Sequence, residues 1–302
     1  MRILGYGLLP IAVAAFLGAS CAAATPQPGD GPAKIPFTLF QSNIVVQTQL
    51  GQAPAMPFIF DSGLSHGNIV SKATAQLLNL EPSGAAHVTD ASGRHSALRV
   101  AKIDRVEVGD VVLRDQKFAI VHVPGPLKNR PGEPPIAGFL GAPLMQGAVL
   151  CVDYADQMLR RWAPSEFDPA GLAAIPAHLN HGLVTIDIVV DGLPATVAVD
   201  TGNDGGVQLF PAFYHKHDLR SHYSDLQPVG AVTGSGARFR ALRATARQVR
   251  VGQTELEGVP LLFSAQAFDP AWGIDGLVGY RFLSRLNPCI SRPKSRFLWD
   301  AS

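Results

Sequence analysis

Two short stretches carry residue types able to do chemistry together. Asp61-Ser62-Gly63 and Asp200-Thr201-Gly202 each follow an apolar run, Pro57-Phe58-Ile59-Phe60 in one case and Thr196-Val197-Ala198-Val199 in the other. Taken singly, such tripeptides are ordinary turn sequences. Placed at the same point of two copies of one unit, they become a candidate pair. Two carboxylates ~4 Å apart cost about 4 kcal/mol if both ionise, even at an effective dielectric of ~20. One pKa therefore rises, the other falls, and the pair holds a single proton over a wide acidic range. The ionised member can take a proton from a trapped water while the protonated member polarises a carbonyl. Gly63 and Gly202 permit a tight backbone whose N–H groups face the carboxylates. Ser62 and Thr201 supply hydroxyls that can lock one turn to the other.

The pairing rests on an internal duplication. VQTQLGQAPAMPFIFDSG near Gln47 repeats as VTIDIVVDGLPATVAVDTG near Thr185, and Asp61 stands opposite Asp200 at an offset of 139. Thr89-Asp90-Ala91-Ser92-Gly93 faces Thr233-Gly234-Ser235-Gly236, and Ala97-Leu98-Arg99 returns as Ala241-Leu242-Arg243. Val106-x-Val108-Gly109 returns as Val249-x-Val251-Gly252, Phe139-Leu140-Gly141 as Leu277-Val278-Gly279, and Cys151 as Cys289. The offset stays between 138 and 144, as surface-loop insertions would produce. Related halves pack about a pseudo-twofold axis much as identical subunits do. An axis between the two turns would bring both carboxylates to one point.

Within each unit the patterns are mostly strands. Val46-x-Thr48-x-Leu50 and Val184-x-Ile186-x-Ile188 alternate, and the runs ahead of each Asp are nearly continuous apolar segments, as buried strands require. Helical pattern is brief, at Ser71–Leu80 and Pro211–Leu219, with a further turn after Gly141 and Gly279. Many short strands with Gly and Pro turns predict an all-β architecture of two closed or packed lobes. The expected boundaries are an N-terminal lobe over 37–162, a linker over 163–174 and a C-terminal lobe over 175–302.

At these residues the chain resembles the aspartic peptidases. Asp61-Ser62-Gly63-Leu64-Ser65 and Asp200-Thr201-Gly202-Asn203-Asp204 match that family's Asp-(Ser/Thr)-Gly-x-(Ser/Thr/Asp) signature, and the paired apolar-apolar-Gly elements match its supports for the active-site loops. The proton shared between two carboxylates is best known from this family. Each compact repeat is similar to a retroviral-type subunit, here twice in tandem, in a pepsin-like two-lobed arrangement. The resemblance implies an active-site Asp from each lobe, a hydroxyl interlock after each Asp, a cleft for an extended peptide, and no cofactor. The hairpin residues Thr89, Ser92 and Gly93, and Thr233, Gly234, Ser235 and Gly236, read either as two mobile flaps or as one flap with its counterpart blunted. Neither hairpin carries the Tyr typical of a pepsin flap, a departure that counts against a pepsin-proper assignment more than against a retropepsin-like one. Asp204 adds a third carboxylate beside the pair.

Rival signals are weaker. Gly63-Leu64-Ser65-His66-Gly67 matches the nucleophile elbow of serine hydrolases, which needs alternating strands and helices; the second copy keeps the Asp and not the Ser. His215, His217 and His222 cluster without metal-ligand spacing, so no metal site is expected. Arg238, Arg240, Arg243, Arg247 and Arg250 read either as a solvated strand face or as a preference for acidic substrate side chains. A peptide-binding protein that grips by strand addition without cutting is the main alternative class.

Composition bounds the rest. The 302 residues include 25 Lys and Arg against 24 Asp and Glu, which offers no general attraction to nucleic acid or anionic membrane. Gly 30 and Pro 24, with 47% apolar residues, argue against both a helical bundle and a disordered chain. Residues 1–24 read as an export signal: Arg2, an apolar run from Ile3 to Ala19, then Ala22-Ala23-Ala24. Lipoprotein anchoring through Cys21 is the alternative, with Gly18 set against it. Residues 25–36 read as a flexible tether. A periplasmic or secreted monomer with no later membrane segment follows. Cys151 and Cys289 are then either buried thiols or a disulfide near the pseudo-axis.

Overall fold

A computed structural model describes residues 8–9, 31–89, 95–123, 132–233, 238–265 and 267–301. The architecture is two barrels built alike. In the first, Asn43–Leu50 pairs antiparallel with Met56–Phe60, which runs parallel to Gly138–Leu140. That strand lies antiparallel to Asn68–Ser71, which is parallel to Val111–Val121. Val111–Val121 pairs with the long strand His95–Val108, whose far end returns to Asn43–Leu50 and closes the ring. The second barrel repeats this circuit through Leu183–Val190, Leu193–Val199, Gly276–Val278, Val207–Leu209, Thr254–Ser264 and Arg238–Val251. Closure leaves neither ring an open edge.

Between the barrels lies an antiparallel sheet of six strands, three from each half, in the order Leu172–Pro176, Arg296–Asp300, Cys289–Ser291, Val149–Asp153, Met158–Trp162 and Ala33–Phe40. Its two central strands are the equivalent ones, and Cys151 stands directly opposite Cys289. The two form a disulfide with an S–S distance of 2.03 Å and Cα atoms 3.8 Å apart. Cysteines in register on the pseudo-axis meet because the axis passes between them. Phe297 and Trp299 point from this sheet into the principal core, which continues through both barrels.

Two boundaries differ from the sequence reading. The tether expected over 25–36 gives way to a strand at Ala33, because Ile35 and Phe37 alternate into the core while Lys34 and Pro36 face out. The linker expected over 163–174 contributes Leu172 to a strand and buries Phe167 against Trp162, with ring centroids 6.1 Å apart. The helices are shorter than expected. One spans Lys72–Leu77, capped by Ser71, whose Oγ accepts the Thr74 N–H at 3.0 Å; the other spans Pro211–Lys216. The export-signal segment falls outside the described residues except for Leu8–Leu9, which pairs with Val232–Thr233. Among the described residues no helix is long and apolar enough to cross a membrane.

Candidate functional site

Asp61 and Asp200 end equivalent strands, and each turn is pinned by the strand beside it. The Asp61 N–H donates to Leu140 O at 2.9 Å and the Asp200 N–H to Val278 O at 3.0 Å. The following residues return to the same elements: Ala142 N–H donates to Leu64 O at 2.9 Å, and Tyr280 N–H to Asn203 O at 2.7 Å. These approaches need Gly141 and Gly279. A Cβ on Gly141 would stand 2.5 Å from Leu64 O, and one on Gly279 2.4 Å from Asn203 O.

The two turns are bonded to one another. Ser62 N–H donates to Thr201 Oγ1 at 2.9 Å, and Thr201 N–H donates to Ser62 Oγ at 3.0 Å. Each hydroxyl then donates across to a carbonyl of the other barrel, Ser62 Oγ to Val199 O at 2.8 Å and Thr201 Oγ1 to Phe60 O at 3.0 Å. Every donor and acceptor in this exchange is used, which is the condition for burying it.

The interlock brings the carboxyl groups together. Asp61 and Asp200 are almost fully buried and near enough that each perturbs the other's ionisation. Asp61 Oδ1 accepts the Gly63 N–H at 2.8 Å and Asp200 Oδ1 accepts the Gly202 N–H at 2.9 Å. Asp200 Oδ2 is buried with no hydrogen-bond partner, a position that a proton held between the two carboxyls would satisfy. Gly202 makes room for the pair, since a Cβ there would lie 2.6 Å from Asp61 Cγ. Burial pushes the Asp61 carboxyl up to about 6, while its bonds to Asp200 and to the Gly63 N–H pull it down. Asp200 is driven well above the ordinary carboxylate range by burial and by the charge of Asp61. Both carboxyls are therefore raised, where the sequence reading expected one to fall, because burial outweighs the bonds that pull Asp61 down, and the two titrate as one unit.

Thr89 and Thr233 end strands that lead toward the two hairpin tips. Ser92, Gly93, Gly234, Ser235 and Gly236 lie outside the described residues. Ser65 bonds His66 Nδ1 at 2.7 Å, in the turn after a barrel strand rather than in the alternating strand–helix setting that a nucleophile elbow requires. His215 and His217 pack on Tyr214 and Phe213, and among the described residues no cluster of His, Cys, Asp and Glu is placed to hold a metal.

Sequence reasoning passed over the buried amides behind the turns. Asn68 Oδ1 accepts the Gly141 N–H at 3.1 Å, and its Nδ2 donates to Gln116 Oε1 at 3.2 Å. In the other barrel Asn203 Nδ2 donates to Gln208 Oε1 at 3.2 Å, and its Oδ1 accepts the Gly205 N–H at 2.7 Å. The only signal was polar residues within otherwise apolar strands, Asn68 before Ile69-Val70 and Gln208 between Val207 and Leu209.

Comparison with known proteins agrees with this duplication. A family model described as aspartyl protease matches twice, over residues 46–144 and 186–282, together more than half of the chain. Among solved structures, a retropepsin-like aspartic protease from Rickettsia conorii is similar at 18% identity over 42% of this chain and 90% of its own, with a TM-score of 0.32. Basic 7S globulin from soybean is similar at 10% identity over 90% of this chain and 95% of its own, with a TM-score of 0.49. Among curated proteins none matches the chain by sequence.

Proposed function

The chain belongs to the aspartyl protease family, and we propose that it is an exported endopeptidase in which Asp61 and Asp200 act as one catalytic pair. Asp61, ionised, takes a proton from a water held between the carboxyls. The hydroxide oxygen attacks the peptide carbonyl carbon as Asp200 donates its proton to the carbonyl oxygen. In the resulting gem-diol the amide nitrogen receives the proton held by Asp61. The C–N bond then breaks, Asp200 recovers its proton from a diol hydroxyl, and a carboxylic acid and an amine leave. The substrate is an extended peptide between the barrels, a conformation whose backbone can add to strand edges.

The observation that carries this reading is two buried carboxyls that perturb one another's ionisation, each held by a glycine N–H. Keeping two acidic groups at such a point is electrostatically costly, and a protein that only grips peptides has no use for the cost. Export is supported by the signal-like start of the sequence and by the Cys151–Cys289 disulfide, a bond that oxidising compartments preserve.

The test is digestion of a peptide library from about pH 3 to about pH 8 by the wild-type chain, Asp61→Asn and Asp200→Asn. Cleavage by the wild type and by neither variant, with unchanged circular dichroism, is the expected result. Full activity in either variant would overturn the assignment, and binding without cleavage by the wild type would move the protein to the peptide-binding class.

A further inference from the structure

We propose that the outer face of the inter-barrel sheet carries a second ligand site, for a carboxylate borne on an apolar body. A cavity of about 410 Å³ opens there and shares no residue with the Asp61 or Asp200 turns. Its size is that of a small-molecule site. Strand alternation explains its lining. Ala174 lies opposite Leu298, and Leu298 opposite Cys289, so these residues share one face; Ser291 and Arg296 form the next cross-strand pair along it. Phe167, from the segment that crosses this face, closes one wall.

Three polar groups converge on this apolar floor. Ser291 is 2% exposed, lines the cavity, and its Oγ has no hydrogen-bond partner. A buried hydroxyl left this way keeps its desolvation penalty, which a bound acceptor would remove. Lys294 and Arg296 stand exposed at the rim, and neither has a carboxylate partner among the described residues. Two unpaired cations and one orphaned hydroxyl beside Phe167, Ala174 and Leu298 are complementary to a carboxylate with a hydrocarbon or aromatic body. A free amphiphilic acid and the C-terminal end of an apolar peptide both present that chemistry.

Calorimetric titration of the full chain tests the site with four probes: octanoate, octanamide, and N-acetyl-leucyl-phenylalanine as the free acid and as the amide. Saturable binding of octanoate, at least tenfold tighter than octanamide, supports the site and names a free amphiphile as its source. Binding of the peptide acid alone supports it with a chain end as the source. Lys294→Gln/Arg296→Gln is expected to weaken binding at least tenfold, and Ala174→Trp to abolish it by filling the cavity. Ser291→Ala is expected to weaken binding severalfold while raising the melting temperature of the free protein. Asp61→Asn is expected to leave binding unchanged, so this site and the catalytic reading stand or fall separately. Absence of binding by any acid, equal binding of acid and amide, or full binding in the Lys294/Arg296 variant would each overturn the proposal. The last comparison uses exposed side chains whose loss leaves folding intact, even if Ala174→Trp does not fold.

Discussion

The two aspartate turns reach one geometry through different neighbours. After Asp61 the chain continues Leu64-Ser65-His66, and Leu64 is fully buried in a small apolar cluster with Val45, Ile59 and Ile69. After Asp200 it continues Asn203-Asp204-Gly205, and Asn203 occupies Leu64's place with a buried amide bonded to Gln208. The first barrel instead draws its buried amide from Asn68, which holds the Gly141 N–H directly, while Gly279 N–H goes to a backbone oxygen, Gly206 O, at 2.9 Å. Polar satisfaction behind the turns is therefore required in both halves, but the residue that supplies it is free to move. What does not vary is the set of contacts between the halves: the carboxyl pair, the crossed hydroxyls and the disulfide. Contacts on the pseudo-axis constrain both copies at once. Contacts away from it constrain one.

That contrast is breakable experimentally. The largest effect belongs to the pair: Asp61→Asn and Asp200→Asn should each lower kcat/KM by ~10³-fold or more, because residues acting as a unit fail together. The wild-type rate should fall as pH drops through about 6, where the raised Asp61 carboxyl takes up a proton and the base is lost; a pH–rate profile without a limb near that value would remove Asp61 from the role of base. Next comes the axis disulfide. Cys151→Ser/Cys289→Ser should cost about 2–5 kcal/mol in denaturant unfolding, given that it closes a long loop. A loss under 1 kcal/mol would show that the six-stranded sheet holds the barrels together unaided.

The crossed hydroxyls come third. Ser62→Ala and Thr201→Val each strand a buried partner, and each should cost about 1–3 kcal/mol. Their double variant should lose less than the sum, since the four bonds form one network. Strict additivity would deny the coupling of the two turns. The smallest effect lies off the axis, at Asp204. Burial raises the Asp204 carboxyl to about 7, against the pull of the Arg281 cation. A raised acid stabilises the fold below its unfolded pKa, and that contribution is lost as pH rises through about 7. Asp204→Asn should therefore gain about 1 kcal/mol at about pH 8 and nothing at about pH 4.

Much of this was legible because duplication doubles every weak signal. Alternation in Val184-x-Ile186-x-Ile188 and the apolar runs before each Asp marked the barrel strands, and the recurrence of Asp, Gly and Cys marked what lies on the axis. Ala33–Phe40 was hidden by Pro36 and the Pro/Gly stretch before it, and Leu172–Pro176 by the linker-like composition around Phe167. Each of these strands exists because a distant partner, Met158–Trp162 or Arg296–Asp300, offers it hydrogen bonds. The buried amides were hidden for a related reason. Asn68 and Gln116 are far apart in sequence and meet only where parallel strands bring them side by side.

By itself, the order of residues determined that the protein is two β units of one design, each offering a carboxylate at the end of a buried strand. Local alternation and turn chemistry depend on neighbours a few residues away, so a string of letters suffices to read them. Only the folded chain decided that Asp61 and Asp200 are buried side by side, that the cysteines join, and that Ser291 faces a cavity without a partner. Those outcomes depend on where the pseudo-axis falls and on which strand ends burial brings together, and these are properties of the whole packed molecule.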